Sequence, residues 1–530
     1  MIDKRKFIEL DINKVRYNSK GIIDFYWPYD KNCHVKIYSE FTLIFNEYLK
    51  NKKSEDVEPL VIFYKWLLSD ILSIYKSIKT VELLRESGYS VNIPSHYKMT
   101  NNFMNSQKPE VIFFENQIKK KLGNKFFVRS LKKILKFFIW NKHIINFWKF
   151  QKVTCLSNGK IIDKHARIEK VKRVYVQLND FFKAQPSLKN LNAKLLPENQ
   201  NTTNEVLDLI KKTFESNNVV FDCNINNYFK IWIGQAFNFY NFHSLQLRTQ
   251  SLPNKLWVSC PGNTIWHAML TSAIRKRSGI VYAHSHGSPN FEADQNFQNF
   301  VDHIHCDELF IESKAYADFK IKNLDHRFMF GKDFPKLNFP NPKTRNLNSK
   351  SPKLLQRKIK KIMYVPKPFF GEDARVRNVP SEIQYFDWQC RLLGILSDAN
   401  IEIIYKPHPG GRSKPSKDFA LSFGAKEINE PFEKVKEQVD AYIIDFLTST
   451  TTHQILNSDL PVIFINLKSP DISEDIKISL NKRSYVLESF IDDLNRFRID
   501  NNELLSILNK KEHVFCYDFC NTFYDNIILK

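Results

Sequence analysis

No stretch of this 530-residue sequence stays apolar long enough to cross a bilayer. The most apolar early run, LVIFYKWLLSDILSIY at 60–75, is broken by Lys65 and Asp70, which predicts a core helix instead. The amino terminus, MIDKRKFIELDINK, carries charges where a secretory signal needs an apolar centre, so export by that route is not expected. The eight cysteines are scattered. Only Cys516 and Cys520 lie close together, with His513 nearby, and one such group lacks the paired spacing of a zinc module. Reduced structural thiols in the cytoplasm are therefore expected. There is no internal repeat of fixed period, and no RNA- or DNA-binding signature.

What the chain does have is cation and aromatic surface. Lys and Arg number 79 against 57 Asp and Glu, a formal net charge of +22. That favours an anionic partner, such as a nucleotide, phospholipid surface or acidic glycan, or else a solvated basic surface. With 44 Phe and 21 Tyr there is ample material for burial, and at this length more than one core is expected. The stretch 333–353, DFPKLNFPNPKTRNLNSKSPK, is dense in Pro, Asn, Lys and Ser and reads as an interdomain linker. The expected first domain is 1–335, helix-rich over 1–250 and Rossmann-like over 251–335. A linker at 336–355 and a second Rossmann-like domain at 356–530 follow it. A second polar stretch, LLPENQNTTNEV at 195–206, reads as a loop or lid.

After the linker, strand-like and helix-like patterns alternate. KKIMYVP (360–366), IEIIYK (401–406), AYIIDF (441–446) and PVIFIN (461–466) predict strands. Between them 380–399, 431–440 and 448–458 predict helices. Such alternation implies right-handed crossovers and a mainly parallel sheet. Before the linker, 255–260, 279–287, 307–313 and RFMFGK at 327–332 predict a second open sheet, with a helix through 263–277. The fold class is α/β, with two doubly wound sheets facing a cleft. Residues 228–248 predict one strongly amphipathic, aromatic helix.

Open α/β sheets bind ligands beyond the carboxyl ends of their strands. In EIIYKPHPGG (402–411) the strand ends on Lys406, a compact cation, and on His408, held between Pro407 and Pro409. Gly410 and Gly411 then allow a ligand close to the backbone. One crossover later Asp445 closes its strand, and Thr448, Ser449 and Thr450 offer hydroxyls and N–H groups at a helix start, where a simple N-cap is the other reading. Both loops predict phosphate binding by Lys406, His408, Pro409, Asp445, Thr448, Ser449 and Thr450. In AHSHGSPNFEADQ (283–295), His284 and His286 end another strand, ahead of Glu292 and Asp294. This group reads as a metal pair, a structural pair or a catalytic base facing the cleft. His286 is the candidate base, with Glu292 and Asp294 its rivals and His408 acting from the opposite sheet. No Asp-x-Asp pair lies near these loops, so neither a metal nor a cofactor is expected.

The order of these motifs, a histidine-glycine turn, then Lys406-x-His408-Pro409, then an Asp445-x-x-Thr448-Ser449-Thr450 loop, resembles GT-B-fold transferases of bacterial surface carbohydrates. These include capsule Kdo transferases, bacterial sialyltransferases and CDP-glycerol glycerophosphotransferases. The segments YFKIWIGQAF and HSHGSPNFEADQNFQNFVDHIHCDELFIES carry the likeness, which is best over about 225–470. The resemblance implies an inverting, metal-independent glycosyltransferase. It would move a Kdo-like or nonulosonic sugar from a CMP-activated donor to a glycan or lipid-linked glycan acceptor of lipopolysaccharide or capsule. A CDP-polyol phosphotransferase of the same fold is the alternative, and a non-catalytic nucleotide- or glycan-binding scaffold is a third reading. Nucleic acid is not an expected partner. The expected place is the cytoplasm, peripheral to the inner membrane face, because SLKKILKFFIWNKHIINFWKFQKV (130–153) interleaves basic and aromatic residues as an interfacial helix does. A core helix with snorkelling lysines is the other reading of that segment.

Overall fold

The computed structural model of the chain describes residues 6–28, 31–104, 111, 113–122, 152–156, 172–284, 289–291, 302–339, 352–369, 371, 380–411, 413–436, 438–468 and 471–524. His286, Glu292, Asp294 and nearly all of the basic-aromatic segment 130–153 lie outside these residues.

Two six-stranded, all-parallel sheets organise the molecule. In the second, the spatial order is Lys426–Glu427, Glu402–Tyr405, Lys361–Val365, Ala441–Ile444, Val462–Asn466, Tyr485–Glu488. Its central strands are buried on both faces, which is why they read as unbroken apolar runs. The direction in which the sheet grows reverses between Lys361–Val365 and Ala441–Ile444, the point at which such sheets open a crevice. The first sheet runs Lys336–Asn338, Glu308–Phe310, Ile280–His284, Lys255–Ser259, Lys152–Cys155, Lys172–Tyr175, with its reversal between Lys152–Cys155 and Lys255–Ser259. The α/β class with two parallel sheets is thus the observed one.

Three local readings are corrected. The polar stretch 195–206 is no lid; it opens the 20-residue helix Pro197–Ser216. Pro197 sits in the first turn, where its missing N–H costs nothing, and Val206, Leu207, Ile210 and Phe214 line the buried face. RFMFGK forms no strand: His326–Met329 is a 3₁₀ turn closed by Phe330 at φ 51°. The outer strand is Lys336–Asn338, inside the stretch read as linker. The helix-rich region also supplies two strands, Lys152–Cys155 and Lys172–Tyr175, so the first sheet draws on residues before 251.

The remaining early chain is helical. Ser54–Glu86 is a 33-residue helix in which Leu60, Phe63, Leu67 and Ile71 are fully buried. Cys223–Arg248 packs against it, with Trp232 and Phe239 in the same core.

Chain ends cross between the halves. The hairpin Tyr17–Asn18 and Gly21–Ile22 docks on the helix Glu382–Asp398 of the second half, where the Ile22 N–H donates to Asp387 at 2.7 Å. Gly21, at φ +100°, is required, since a Cβ there would lie 2.3 Å from Asp387 Oδ1. Gly394 meets the same hairpin so closely that a Cβ would lie 2.2 Å from the Ser19 carbonyl. At the other terminus, the helix Asp518–Phe523 packs back against the first half: Phe291 contacts Phe519, Phe523 and Tyr524, and Ser313 Oγ donates to the Phe523 carbonyl at 3.3 Å. With its sheet on one side and the hairpin on the other, Glu382–Asp398 is buried along almost its whole length.

Candidate functional site

Three loops meet at the carboxyl edge of the second sheet, at its point of reversal. The first follows Val365 and carries Lys367; the second is the Lys406-to-Gly411 turn; the third runs from Asp445 to Ser449. An isolated bridge between Phe369 and Ser413 ties the first to the second. Asp445 ties the first to the third.

Asp445 does this with a buried carboxylate. It accepts from Tyr364 Oη at 2.6 Å, Tyr385 Oη at 2.9 Å, Trp388 Nε1 at 3.2 Å and the Lys367 N–H at 3.3 Å. Burial pushes its pKa up, while Lys367 and the three side-chain donors hold it down. A carboxylate so engaged orients the loops and gives a phosphate nothing to bind. The Lys367 ammonium lies 4.9 Å from the Tyr385 ring centroid, in cation–π contact.

Lys406 is buried, and its N–H continues the sheet by donating to the Tyr364 carbonyl at 2.9 Å. Burial lowers its pKa, and Glu430, Glu433 and Glu427 oppose that. His408 is half-buried, its ring 6.4 Å from that of Phe446 on the third loop. The Gly410 N–H donates to His408 Nδ1 at 3.0 Å, which places the proton of a neutral ring on Nε2. Pro409 is exposed at the tip of the turn.

Ser449 is the N-cap of the seven-residue helix Thr450–Leu456, its hydroxyl accepting from the Thr452 N–H at 3.0 Å. Thr448 is half-buried and Thr450 exposed. The structure therefore brings Lys406, His408 and the Thr448–Thr450 run to one edge, with Asp445 beneath them. Sequence reasoning missed Lys367. Its signal was present: VPKPFFG repeats the pattern of YKPHPGG, a lysine beside proline after an apolar strand and a glycine soon after. Two cations, an imidazole donor and a helix start can hold an anionic group at this edge.

At the carboxyl edge of the first sheet, His284 is buried and its Nδ1 accepts from Trp257 Nε1 at 2.8 Å. Trp257 in turn stacks on Tyr282 at 5.7 Å and lies 4.5 Å from Phe310. At the opposite, amino edge of that sheet, in the turn ahead of Glu308–Phe310, His303 and His305 are buried, and desolvation holds both pKa values down, that of His305 at about 3. Among the described residues no group of three or more His, Cys, Asp or Glu could hold a metal ion. Cys516 and Cys520 are buried free thiols, the Cys520 Sγ donating to the Leu456 carbonyl, while His513 Nδ1 pairs with Tyr485 Oη at 3.0 Å. No described helix is long and apolar enough to cross a membrane.

No family model matches the chain, and no curated protein matches it. Among solved structures it is similar to one described as a complex between a UDP-glucosyltransferase from Polygonum tinctorium capable of glucosylating indoxyl and 3,4-dichloroaniline. That likeness has 8% identity and a TM-score of 0.32, over 68% of this chain and 89% of that one.

Proposed function

We propose that the protein is a glycosyltransferase that takes its sugar from a nucleotide-activated donor whose phosphate rests on the carboxyl edge of the second sheet. The observation that carries this reading is the convergence of Lys367, Lys406, His408 and the Ser449 helix start on the one point where that sheet reverses. The order of the sequence motifs adds the finer points: a CMP-activated, Kdo-like or nonulosonic sugar, an acceptor glycan of a bacterial surface polysaccharide, and inversion; the basic-aromatic segment 130–153 adds action at the inner membrane face. On this reading the Lys406 and Lys367 ammonium groups and the His408 Nε2–H neutralise the leaving phosphate without a metal ion. His286, from the first sheet's loop, removes the proton of the acceptor hydroxyl.

A nucleotide panel read by thermal shift in the presence of a chelator tests the donor. Ligands that bind only the native state raise its stability by mass action. CMP or CDP should stabilise the protein more than UMP, UDP or GDP at equal concentration. Preference for a uridine or guanosine nucleotide overturns the cytidine assignment, and a flat panel overturns the nucleotide site. For the base, His286→Ala should cut turnover by about 10²- to 10⁴-fold with nucleotide affinity little changed. If it does not, while Glu292→Gln or Asp294→Asn abolishes turnover, the base is a carboxylate.

A further inference from the structure

Phe446 sits on the third loop of the second sheet's carboxyl edge, between Asp445 and the Ser449 helix start. Its neighbours in the chain, Asp445 and Leu447, are buried. Phe446 itself is only half-buried, and its side chain belongs to neither hydrophobic core among the described residues. Aromatic side chains stabilise a fold through buried area, so a ring outside the core adds little to it. Its ring neighbour among the described residues is His408, with centroids 6.4 Å apart and planes at 65°, an edge-on contact. Such a contact engages at most one face of the phenyl ring.

The backbone beneath this ring is held in place. The Phe446 carbonyl accepts from Thr452 Oγ1 at 3.1 Å, and Thr452 Oγ1 lies 3.0 Å from the Ser449 hydroxyl that caps the helix. Thr452 is fully buried. The loop under Phe446 is thereby tied to the same helix start that faces the anion. A flat apolar face fixed beside a cationic edge suits a ligand that is flat at one end and anionic at the other. A nucleotide is such a ligand, because its base lies one ribose away from its phosphate. Inorganic phosphate and sugar phosphates offer the anion without the plane.

We propose that Phe446 is the platform on which the nucleobase stacks when the phosphate rests at His408 and the Ser449 helix start. The assignment rests on the nucleotide reading of this edge, and it adds the group that tells a nucleotide from a sugar phosphate. Every base has a π-face, so stacking of this kind supports cytosine, uracil and guanine alike. The choice among them belongs to other groups of the site. Duties at the edge are thus divided: Lys367, Lys406 and His408 meet charge, and Phe446 meets the base.

The test titrates CMP and ribose 5-phosphate calorimetrically into the whole chain and into Phe446→Ala, Phe446→Leu and Phe446→Tyr. CMP affinity should fall about 10- to 100-fold in Phe446→Ala, the worth of one base stacked on an aromatic ring. Phe446→Leu keeps an apolar side chain without the flat face and should lose nearly as much, whereas Phe446→Tyr should retain binding. Ribose 5-phosphate has no base, so it should bind wild type more weakly than CMP does and bind the variants as it binds wild type. Urea midpoints of all three variants should match wild type, since the ring lies outside the core. CMP affinity unchanged in Phe446→Ala overturns the proposal, and so does full CMP affinity in Phe446→Leu. An equal loss for CMP and ribose 5-phosphate overturns it as well, by placing the ribose or the phosphate on the ring, and a lowered urea midpoint in Phe446→Ala does so by making the ring structural. If neither ligand binds wild type, the nucleotide reading itself falls, and the stacking platform with it.

Discussion

The carboxyl edges of the two sheets are built alike and furnished differently. At the first, a histidine is locked by a tryptophan N–H and lies among aromatic faces. At the second, cations and an imidazole donor stand on a carboxylate that accepts from four partners. Around His284 the described rings are aromatic, whereas the second edge gathers cations, although the strands of both arrive as apolar runs. Backbone topology thus places the sites, and the few residues past each strand end decide what they can hold.

The sharpest way to break the contrast is to remove the carboxylate. Asp445→Ala strands two tyrosine hydroxyls and an indole N–H in the core, so it should destabilise the protein by about 3–5 kcal/mol. His284→Ala, at the carboxyl edge of the first sheet, strands the Trp257 N–H and should cost about 1–3 kcal/mol. Urea midpoints of the two variants decide it; equal losses would mean that Asp445 is no keystone.

Next comes ligand affinity. The pair Lys406→Met with His408→Ala should weaken binding of a cytidine nucleotide by about 10²-fold, a loss of about 2.7 kcal/mol, while His284→Ala leaves it unchanged. Calorimetric titration of both variants separates the edges. Equal weakening in both would place the nucleotide across the cleft and not on the second sheet alone.

How much of this contrast could be read from the sequence depends on how local its causes are. PVIFIN and AYIIDF announced themselves as strands because a parallel strand buried on both faces is apolar throughout. KVTC and KRVY, the strands at 152–155 and 172–175, escaped because four residues with a lysine or arginine among them carry no such signal. Lys406 and His408 were legible from the prolines and glycines around them. The role of Asp445 was not, since its partners Tyr364, Tyr385 and Trp388 lie 81, 60 and 57 residues away.

Acid should sharpen the contrast further. Burial lowers the His267 pKa to about 4, below the value of about 6.5 in the unfolded chain. Between those values the unfolded state binds a proton that the native state does not, so stability falls as pH drops through 6.5 toward 4. His267→Gln should remove about 1–2 kcal/mol of the loss between pH 7 and pH 5, measured by urea denaturation.

The smallest change is one methyl group at Gly410. A Cβ there would lie 3.2 Å from His408 Cε1 and 3.3 Å from Nδ1, closer than such atoms normally sit. The ring can give way by a few tenths of an ångström, so the fold should survive. The Gly410 N–H to Nδ1 bond at 3.0 Å is then strained, and with it the orientation of Nε2–H. Gly410→Ala should therefore weaken nucleotide binding by about three- to tenfold at an unchanged melting temperature, because a misdirected charge-assisted hydrogen bond loses about half its worth. In a His408→Ala background the same methyl group has no ring to push, and its effect should vanish. If Gly410→Ala weakens binding equally with and without the imidazole, the turn acts through its backbone, and His408 is not the group that meets the phosphate.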